Sequence, residues 1–448
     1  MKDELLSKMF EYERWCRLLE HADEKGISKT ILRKMATPEI RLELYNRIKN
    51  GRYEIAPPSV LLIPKDNGEF RKVYANTPED RIVCELVNEC MMEIFKEFIH
   101  PSCVSYQRGL GCSEVVQRVS REIVKLSKNT TEPTGIVTDY SKFFDNVSIE
   151  AIDECFDKME MKLGFQLNTE PVICMMRKYY HSTLYWDENG ELQSKFLSLR
   201  QGCSVAAMLS CMVLYELDEY MSTHYDVYYR YSDDSCVITD NIDKAIDDIN
   251  RLASKYGVSL NENKIRPIYG NQYFKFLGFL INGDVITLSK NRVKKLTKEI
   301  SKATIEKPNI TPAQAKANVK RIIYGDGDGY SFATSAFSAM QNCEKDVEIL
   351  NNFIMDAIRL CEVRYNYNKE RKAKRLKPKQ IKYGMADIGG IGVVTDRDDY
   401  TLIRGKGNKI RTARQRTQKE IDHYKSVGCL LKCYKLGKPI YESVVRSI

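Results

Sequence analysis

Val227-Tyr228-Tyr229-Arg230-Tyr231-Ser232-Asp233-Asp234-Ser235-Cys236-Val237-Ile238 is the stretch on which the fold of this 448-residue chain turns. Apolar runs flank the polar tetrad Tyr231-Ser232-Asp233-Asp234, the pattern of a β-hairpin with two adjacent carboxylates at its turn. Two neighbouring anions are costly to hold together unless a multivalent cation neutralises them, so the pair asks for a metal. Taken alone, the tetrad equally describes an exposed turn with two Asp. A third carboxylate at the end of a second predicted strand separates the two readings.

That strand is Gly135-Ile136-Val137-Thr138-Asp139, followed by Tyr140-Ser141-Lys142-Phe143-Phe144-Asp145. It places one carboxylate, and five residues later one ring, at the lip of a sheet. Asp139, Asp233 and Asp234 together suit two Mg²⁺ ions, with Mn²⁺ a possible substitute. One ion lowers the pKa of an attacking hydroxyl and the other stabilises a leaving pyrophosphate, which is the chemistry of nucleotidyl transfer.

Outward from these two strands lies an ordered series of blocks. Gly51-Arg52-Tyr53 and Pro57-Pro58 come first, then Ile63-Pro64-Lys65-Asp66-Asn67-Gly68-Glu69-Phe70-Arg71-Lys72 and Asp80-Arg81-Ile82-Val83. Ser105-Tyr106-Gln107-Arg108-Gly109, the Asp139 strand and Leu199-Arg200-Gln201-Gly202-Cys203-Ser204 follow. The series closes with the Tyr231 tetrad, Leu260-Asn261-Glu262-Asn263-Lys264 and Phe276-Leu277-Gly278. In this order the blocks, spanning about half the chain, resemble the reverse transcriptases, within them the bacterial group of intron-encoded and defence-associated enzymes.

The resemblance implies an α+β right-hand polymerase with fingers, a palm on a split βαβ sheet and a helical thumb, acting as an RNA-directed DNA polymerase on dNTPs with an RNA template and a DNA product. It implies that Lys65 and Arg71 grip the triphosphate, and Asp66-Asn67-Gly68 between them is a hairpin-turn signal that puts them on two arms of one hairpin. Phe144 matches the steric gate against a ribose 2′-OH, with Phe143 the core-packing neighbour. Gln201-Gly202 matches the motif that contacts nucleotide or template, and Lys264 the motif lysine that protonates pyrophosphate. Arg200 and Cys203 stand where the family usually has Pro and Ser.

Composition fits this reading. A net charge of +9 and pI near 8.7 suit a polyanionic partner, and a hydrophobic fraction of 43% is ordinary for a globular chain. No apolar stretch approaches a membrane span and Met1-Lys2-Asp3-Glu4 opens no signal-peptide core, so a cytoplasmic protein without a membrane partner is expected. The 14 cysteines are scattered through apolar patterns, as small buried residues are. His423, Cys429 and Cys433 lack a fourth ligand for zinc, and the five His form no nuclease pattern.

Apolar periodicity predicts helices over 1–50 and over 286–364. With the resemblance this implies an N-terminal helical extension over 1–50, fingers with part of the palm over 51–134, the palm over 135–285 and a helical thumb over 286–364, followed by a basic extension over 365–448. One core helix should start near Ile82, another should run from Gly202 through Leu217, and a third from Ile242 should end at Gly257. The thumb pattern breaks at Pro308, Pro312 and Gly325-Asp326-Gly327-Asp328-Gly329, the last a predicted loop. The extension carries two basic runs, Arg371, Lys372, Lys374, Arg375, Lys377 and Lys379, then Arg404, Lys406, Lys409, Arg411, Arg414 and Arg416, with Tyr365, Tyr367 and Tyr383 interleaved. Such runs suit RNA phosphates and exposed bases, with Arg371, Lys372, Lys374, Arg375, Arg411 and Arg414 the candidate contacts.

Retention of Gln201 argues against the diversity-generating subgroup, and the chain has neither a retron-type Val-Thr-Gly nor an endonuclease pattern. By elimination the resemblance is strongest to the defence-associated and abortive-infection enzymes, which copy a cognate non-coding RNA in bacterial antiphage defence. A group II intron-type maturase or RNA-binding scaffold, and an untemplated DNA polymerase, are the alternatives. Presence of all three Asp with Lys65, Arg71, Phe144 and Gln201 favours catalysis over the scaffold.

Overall fold

The computed structural model describes residues 4–23, 25–65, 68–107, 112–126, 133–195, 197–270, 272–324, 342–381, 391–396, 399–404, 433–435 and 438–440. Four helices lead: α1 (Glu4–Met9), α2 (Tyr12–Glu20), α3 (Lys29–Met35) and α4 (Pro38–Lys49). Leu5, Met9, Trp15 and Leu18 are buried, as their spacing predicts. Strands β1 (Ser59–Pro64) and β2 (Phe70–Ala75) pair antiparallel with Ile63 opposite Arg71. Helix α5 (Pro78–Ile94) starts earlier than predicted because Thr77 caps it through the Asp80 N–H and Pro78 fills the first turn.

Then come α6 (Cys112–Leu126), β3 (Pro133–Asp139), α7 (Phe143–Asn146), α8 (Ile149–Lys162) and α9 (Pro171–His181). The short strands β4 (Leu184–Trp186) and β5 (Leu192–Ser194) precede α10 (Val205–Met212) and α11 (Tyr215–His224). The single helix predicted after Gly202 is thus two, because Leu214 leaves helical geometry at φ −97°, ψ 21°. Strands β6 (Val227–Tyr231) and β7 (Asp234–Ile238) lead to α12 (Ile242–Ala253), whose end is closed at Gly257 with φ +78°.

The remainder is β8 (Arg266–Tyr269), β9 (Phe274–Phe276), β10 (Phe279–Asn282), β11 (Val285–Leu288), α13 (Lys290–Ala303), α14 (Pro312–Tyr324), α15 (Glu344–Ala373), β12 (Ile391–Asp396), β13 (Asp399–Arg404), β14 (Cys433–Lys435) and β15 (Lys438–Ile440). The chain divides into two compact units, one of Met1–Tyr106, Thr138–Val237 and Asp243–Ile265, the other of Gln107–Val137, Ile238–Ile242 and Arg266–Ile448.

In the first unit a sheet of order β2-β1-β4-β5 joins the leading hairpin to a second one, turned at Asn189-Gly190, with Ser59 beside Trp186. Hairpin β6-β7 flanks the end of β3, where the Thr138 and Ser235 hydroxyls bond at 2.5 Å. A charged relay runs through α5: the Lys25 ammonium pairs with Glu85 and, at 2.8 Å, with Glu89, while Ser204 Oγ donates to Glu85 Oε2 at 2.5 Å.

In the second unit the first residues of β3 pair antiparallel with β8, Ile136 opposite Pro267, and β9, β10 and β11 form a meander that buries Phe276, Phe279 and Ile281. Helices α13, α14 and α15 pack together, as predicted for a helical segment here. Pro312 opens α14 instead of breaking a helix, consistent with its tolerance in a first turn. Buried Arg364 on α15 donates to the carbonyls of Ile305 (3.0 Å) and Lys307 (2.7 Å), just past the end of α13, and of Ile381 (3.0 Å), beyond the end of α15. The boundary expected between 364 and 365 falls inside α15, whose 30 residues run on to Ala373.

The Asp-Gly repeat at 325–329, Tyr383, Arg411, Arg414 and His423 with Cys429 lie outside the described residues. Among the described residues no helix is long and apolar enough to cross a membrane.

Candidate active site

The strand end at Asp139 and the turn at Asp233 lie together in the first unit. At the end of β3 the Asn261 N–H donates to the Asp139 carbonyl at 2.8 Å, and the Tyr140 N–H donates to the Asp233 carbonyl at 3.1 Å. The second bond fixes strand end and hairpin turn side by side, and the first ties the strand end to the segment that carries Lys264. The turn holds Ser232 at φ +56°, a left-handed value that costs a non-glycine residue energy unless its surroundings hold it. Here they do: the Ser232 N–H donates to Ser105 Oγ at 2.5 Å, and Tyr106 Oη donates to Ser232 Oγ at 3.3 Å.

Arg230 anchors the same turn from beneath. Fully buried, it forms a two-pronged ion pair with buried Asp218 at 2.5 and 2.7 Å and donates to the carbonyls of Ser210, Cys211 and Ser232. Tyr228 Oη donates to Asp218 Oδ1 at 2.7 Å, so both charges are well satisfied. Sequence reasoning passed over this pair. The available signal was an Arg standing inside an apolar strand, which a half-buried strand tolerates only when the charge is paired.

Burial, and after it the negative charge of Asp139, push the Asp233 carboxyl above its usual value, while Lys264 and Arg71 oppose the rise. Lys264 Nζ lies 2.8 Å from each oxygen of Asp139, so the expected proton donor is paired with an expected metal ligand. Asp234 opens β7 immediately after the turn. Among the described residues no cluster of three or more His, Cys, Asp and Glu side chains has metal-holding geometry. The donor chemistry nevertheless fits a hard divalent cation, since Asp139 and Asp233 offer only carboxylate oxygens and the Asp139 charge raises the cost of ionising Asp233.

The other predicted residues are placed by their own contacts. Phe143 is buried while Phe144 stays half-buried, its ring 5.5 Å from that of Phe143 and edge-on to it. Gln201 accepts from the Tyr74 N–H of β2 at 2.7 Å through its carbonyl. Gly202 has φ +123°, and a Cβ there would meet the Tyr74 carbonyl oxygen at 2.6 Å, so glycine is required for the turn to lie against β2. Lys65 is exposed and 3.2 Å from Glu69, whereas the Arg71 charge is felt at Asp233. Arg371, Lys372, Lys374 and Arg375 belong to the second unit, at and just beyond the end of α15.

Sequence reasoning also missed Lys195, nearly buried just after β5. Its ammonium donates to Asp145 at 3.1 Å and lies 4.3 Å from the centre of the Tyr74 ring. Burial pushes the Lys195 amine down, with Arg200 and Lys72 adding to the effect and Asp145 opposing it. No sequence pattern marks this residue; only the turn signal Asn189-Gly190 hinted at the hairpin that carries the chain to it.

Residues 63–281 match the model of the family described as reverse transcriptase (RNA-dependent DNA polymerase), so this stretch is a reverse transcriptase domain. The chain is similar to the putative COX1/OXI3 intron 1 protein of Saccharomyces cerevisiae, 21% identical over 258 residues that cover 51% of this chain and 29% of that protein. It is also similar to protein YkfC of Escherichia coli, 21% identical over 207 residues, 45% of this chain and 50% of that one. The chain therefore spans half or less of these curated relatives. Among solved structures, an RNA-dependent RNA polymerase of a human picobirnavirus (an insertion-loop deletion mutant) aligns with TM-score 0.45 at 13% identity, covering 71% of this chain and 62% of its own. Apo telomerase from Candida tropicalis aligns with TM-score 0.44 at 14% identity, covering 70% and 60%.

Proposed function

We propose that this reverse transcriptase domain is catalytically competent and that the protein is an RNA-directed DNA polymerase. The observation that carries the reading is the bonding of the Asp139 strand end to the Asp233-Asp234 turn, with Lys264 on Asp139 and Arg71 in electrostatic reach of Asp233. Asp139, Asp233 and Asp234 would hold divalent ions, Mg²⁺ or Mn²⁺, which when bound activate the primer hydroxyl and neutralise the phosphates. Lys65 and Arg71 hold the triphosphate from the two arms of their hairpin. Phe144 closes the space that a ribose 2′-OH needs, and the Gln201-Gly202 turn lies against β2 where nucleotide or template passes. Lys264, once drawn from Asp139 toward the phosphates, carries the proton that pyrophosphate takes up on leaving.

The partner is an RNA template, and Arg371, Lys372, Lys374 and Arg375 bind its phosphates alongside Tyr365 and Tyr367, which are exposed on the same helix. The finer reading is a cognate non-coding RNA copied in antiphage defence, supported by the retained Gln201 and the lack of an endonuclease pattern. The test is to purify the protein from its native host, sequence the bound RNA and DNA, and repeat with Asp233 and Asp234 both changed to Ala. One dominant small RNA with complementary DNA that vanishes in the variant is the expected result. Bound RNA without DNA in either sample overturns catalysis in favour of an RNA scaffold, and DNA unrelated to the RNA indicates untemplated synthesis.

A further inference from the structure

Three elements expected to touch the nucleotide meet at one buried amine. Lys195 Nζ donates to Asp145, the residue directly after Phe144, and sits over the ring of Tyr74. The Tyr74 N–H in turn donates to the Gln201 carbonyl, and the Tyr74 ring packs edge-on against Tyr185 of β4 at 5.5 Å. Lys195 itself is only 6% exposed, whereas Asp145 is 44% exposed. A buried ammonium needs a partner, because left unpaired it costs several times what a surface pair contributes. Asp145 is therefore held toward β2, and the turn of α7 that carries Phe144 is held with it. Lys142, which starts this turn at φ +41°, leaves it little intrinsic preference for the observed geometry.

We propose that the Lys195–Asp145 ion pair sets the position of Phe144 against the nucleotide sugar, making Lys195 a positioning residue for deoxynucleotide selection. The inference rests on the polymerase reading above. In that setting Lys195 touches neither nucleotide nor metal; it acts through Asp145, and its loss frees the ring to move aside for a 2′-OH. Because Lys195 also contacts Tyr74, selection of the sugar is tied to the seating of β2 against Gln201.

The experiment measures single-nucleotide incorporation on one primed RNA template, with dCTP and CTP compared, for the parent, Lys195→Met, Lys195→Arg, Asp145→Asn, Phe144→Ala and the double variant Lys195→Met/Phe144→Ala. Lys195→Met and Asp145→Asn should each lower the dCTP to CTP ratio by ~10-fold, mainly by raising CTP use, as expected when a positioned group is let go. Lys195→Arg should retain most of the ratio, and the double variant should be no less selective than Phe144→Ala alone. Asp145→Asn keeps a carbonyl oxygen for the Lys195 ammonium and is the milder change, so, with its folding checked by thermal melting, it decides the matter where Lys195→Met fails to fold. An unchanged ratio in Asp145→Asn and Lys195→Met, alongside a fallen ratio in Phe144→Ala, overturns the positioning role and leaves the gate standing. An unchanged ratio in Phe144→Ala overturns the gate and the positioning role together. Equal losses with dCTP and CTP mark Lys195 as merely structural and also overturn the proposal.

Discussion

Gly202→Ala is the most demanding substitution the site offers. The added Cβ would lie 2.6 Å from the Tyr74 carbonyl oxygen and 2.7 Å from Val73 Cγ1, where ordinary contact begins at 3.4 Å. The turn must back away from β2 by about 0.8 Å, which breaks the 2.7 Å bond from the Tyr74 N–H to the Gln201 carbonyl. Losing that bond costs ~1 kcal/mol and holding alanine at φ +123° a further ~1–3 kcal/mol, to be read as a fall in urea-unfolding stability. A displacement approaching 1 Å beside the reacting groups lowers kcat/KM for dNTP by ~10²-fold in single-turnover primer extension. Combining the change with Val73→Ala should not restore activity, because the nearest obstacle is backbone. Near-parental kcat/KM in Gly202→Ala, or recovery in the double variant, would refute the argument from close approach.

Asp233→Asn should abolish incorporation and raise thermal stability in the absence of divalent ions. With the folded pKa above the ordinary carboxylate value of 3.8, parent and variant differ least below that value. As pH rises through it and through the raised folded value, the parent loses stability, so the variant's advantage should open over that interval in melting curves. Arg230→Met and Asp218→Asn each strand a buried charge and should lower unfolding free energy by ~3–5 kcal/mol, while a volume-matched apolar replacement of both should cost less. Lys264→Met should slow incorporation by ~10²-fold with nucleotide affinity largely kept, as read in single-turnover primer extension.

The hairpin, the strand ending at Asp139 and the core helix α5 were legible because local signals and burial agree there: apolar runs end in polar turns and apolar spacing matches one helix face. The split between α10 and α11 was not legible, since Val213 and Leu214 continue the apolar run across the break and periodicity cannot see a change of axis. Residues that work in pairs distant in sequence were the least visible. Arg230 with Asp218, and Lys195 with Asp145, are ordinary charges until the fold encloses them. Hairpin β4-β5 was missed although Asn189-Gly190 marks its turn, because its three-residue strands are too short for alternation to register. The boundary drawn at 364/365 followed a shift in charge, which a long helix crosses freely.

The relay from Lys25 through Glu85 to Ser204 ties the segment between α2 and α3 to the start of α10. Glu85 answers at once to a cation from the N-terminal segment and to a hydroxyl that begins α10, two residues beyond Gly202. A lineage that discards or exchanges those helices leaves the Glu85 carboxylate without its Lys25 partner beside the start of α10, and must change position 85 or 204 as well. Substitutions at 25, 85 and 204 are thereby expected to travel together through descent, so that the history of the N-terminal segment is written into the start of α10.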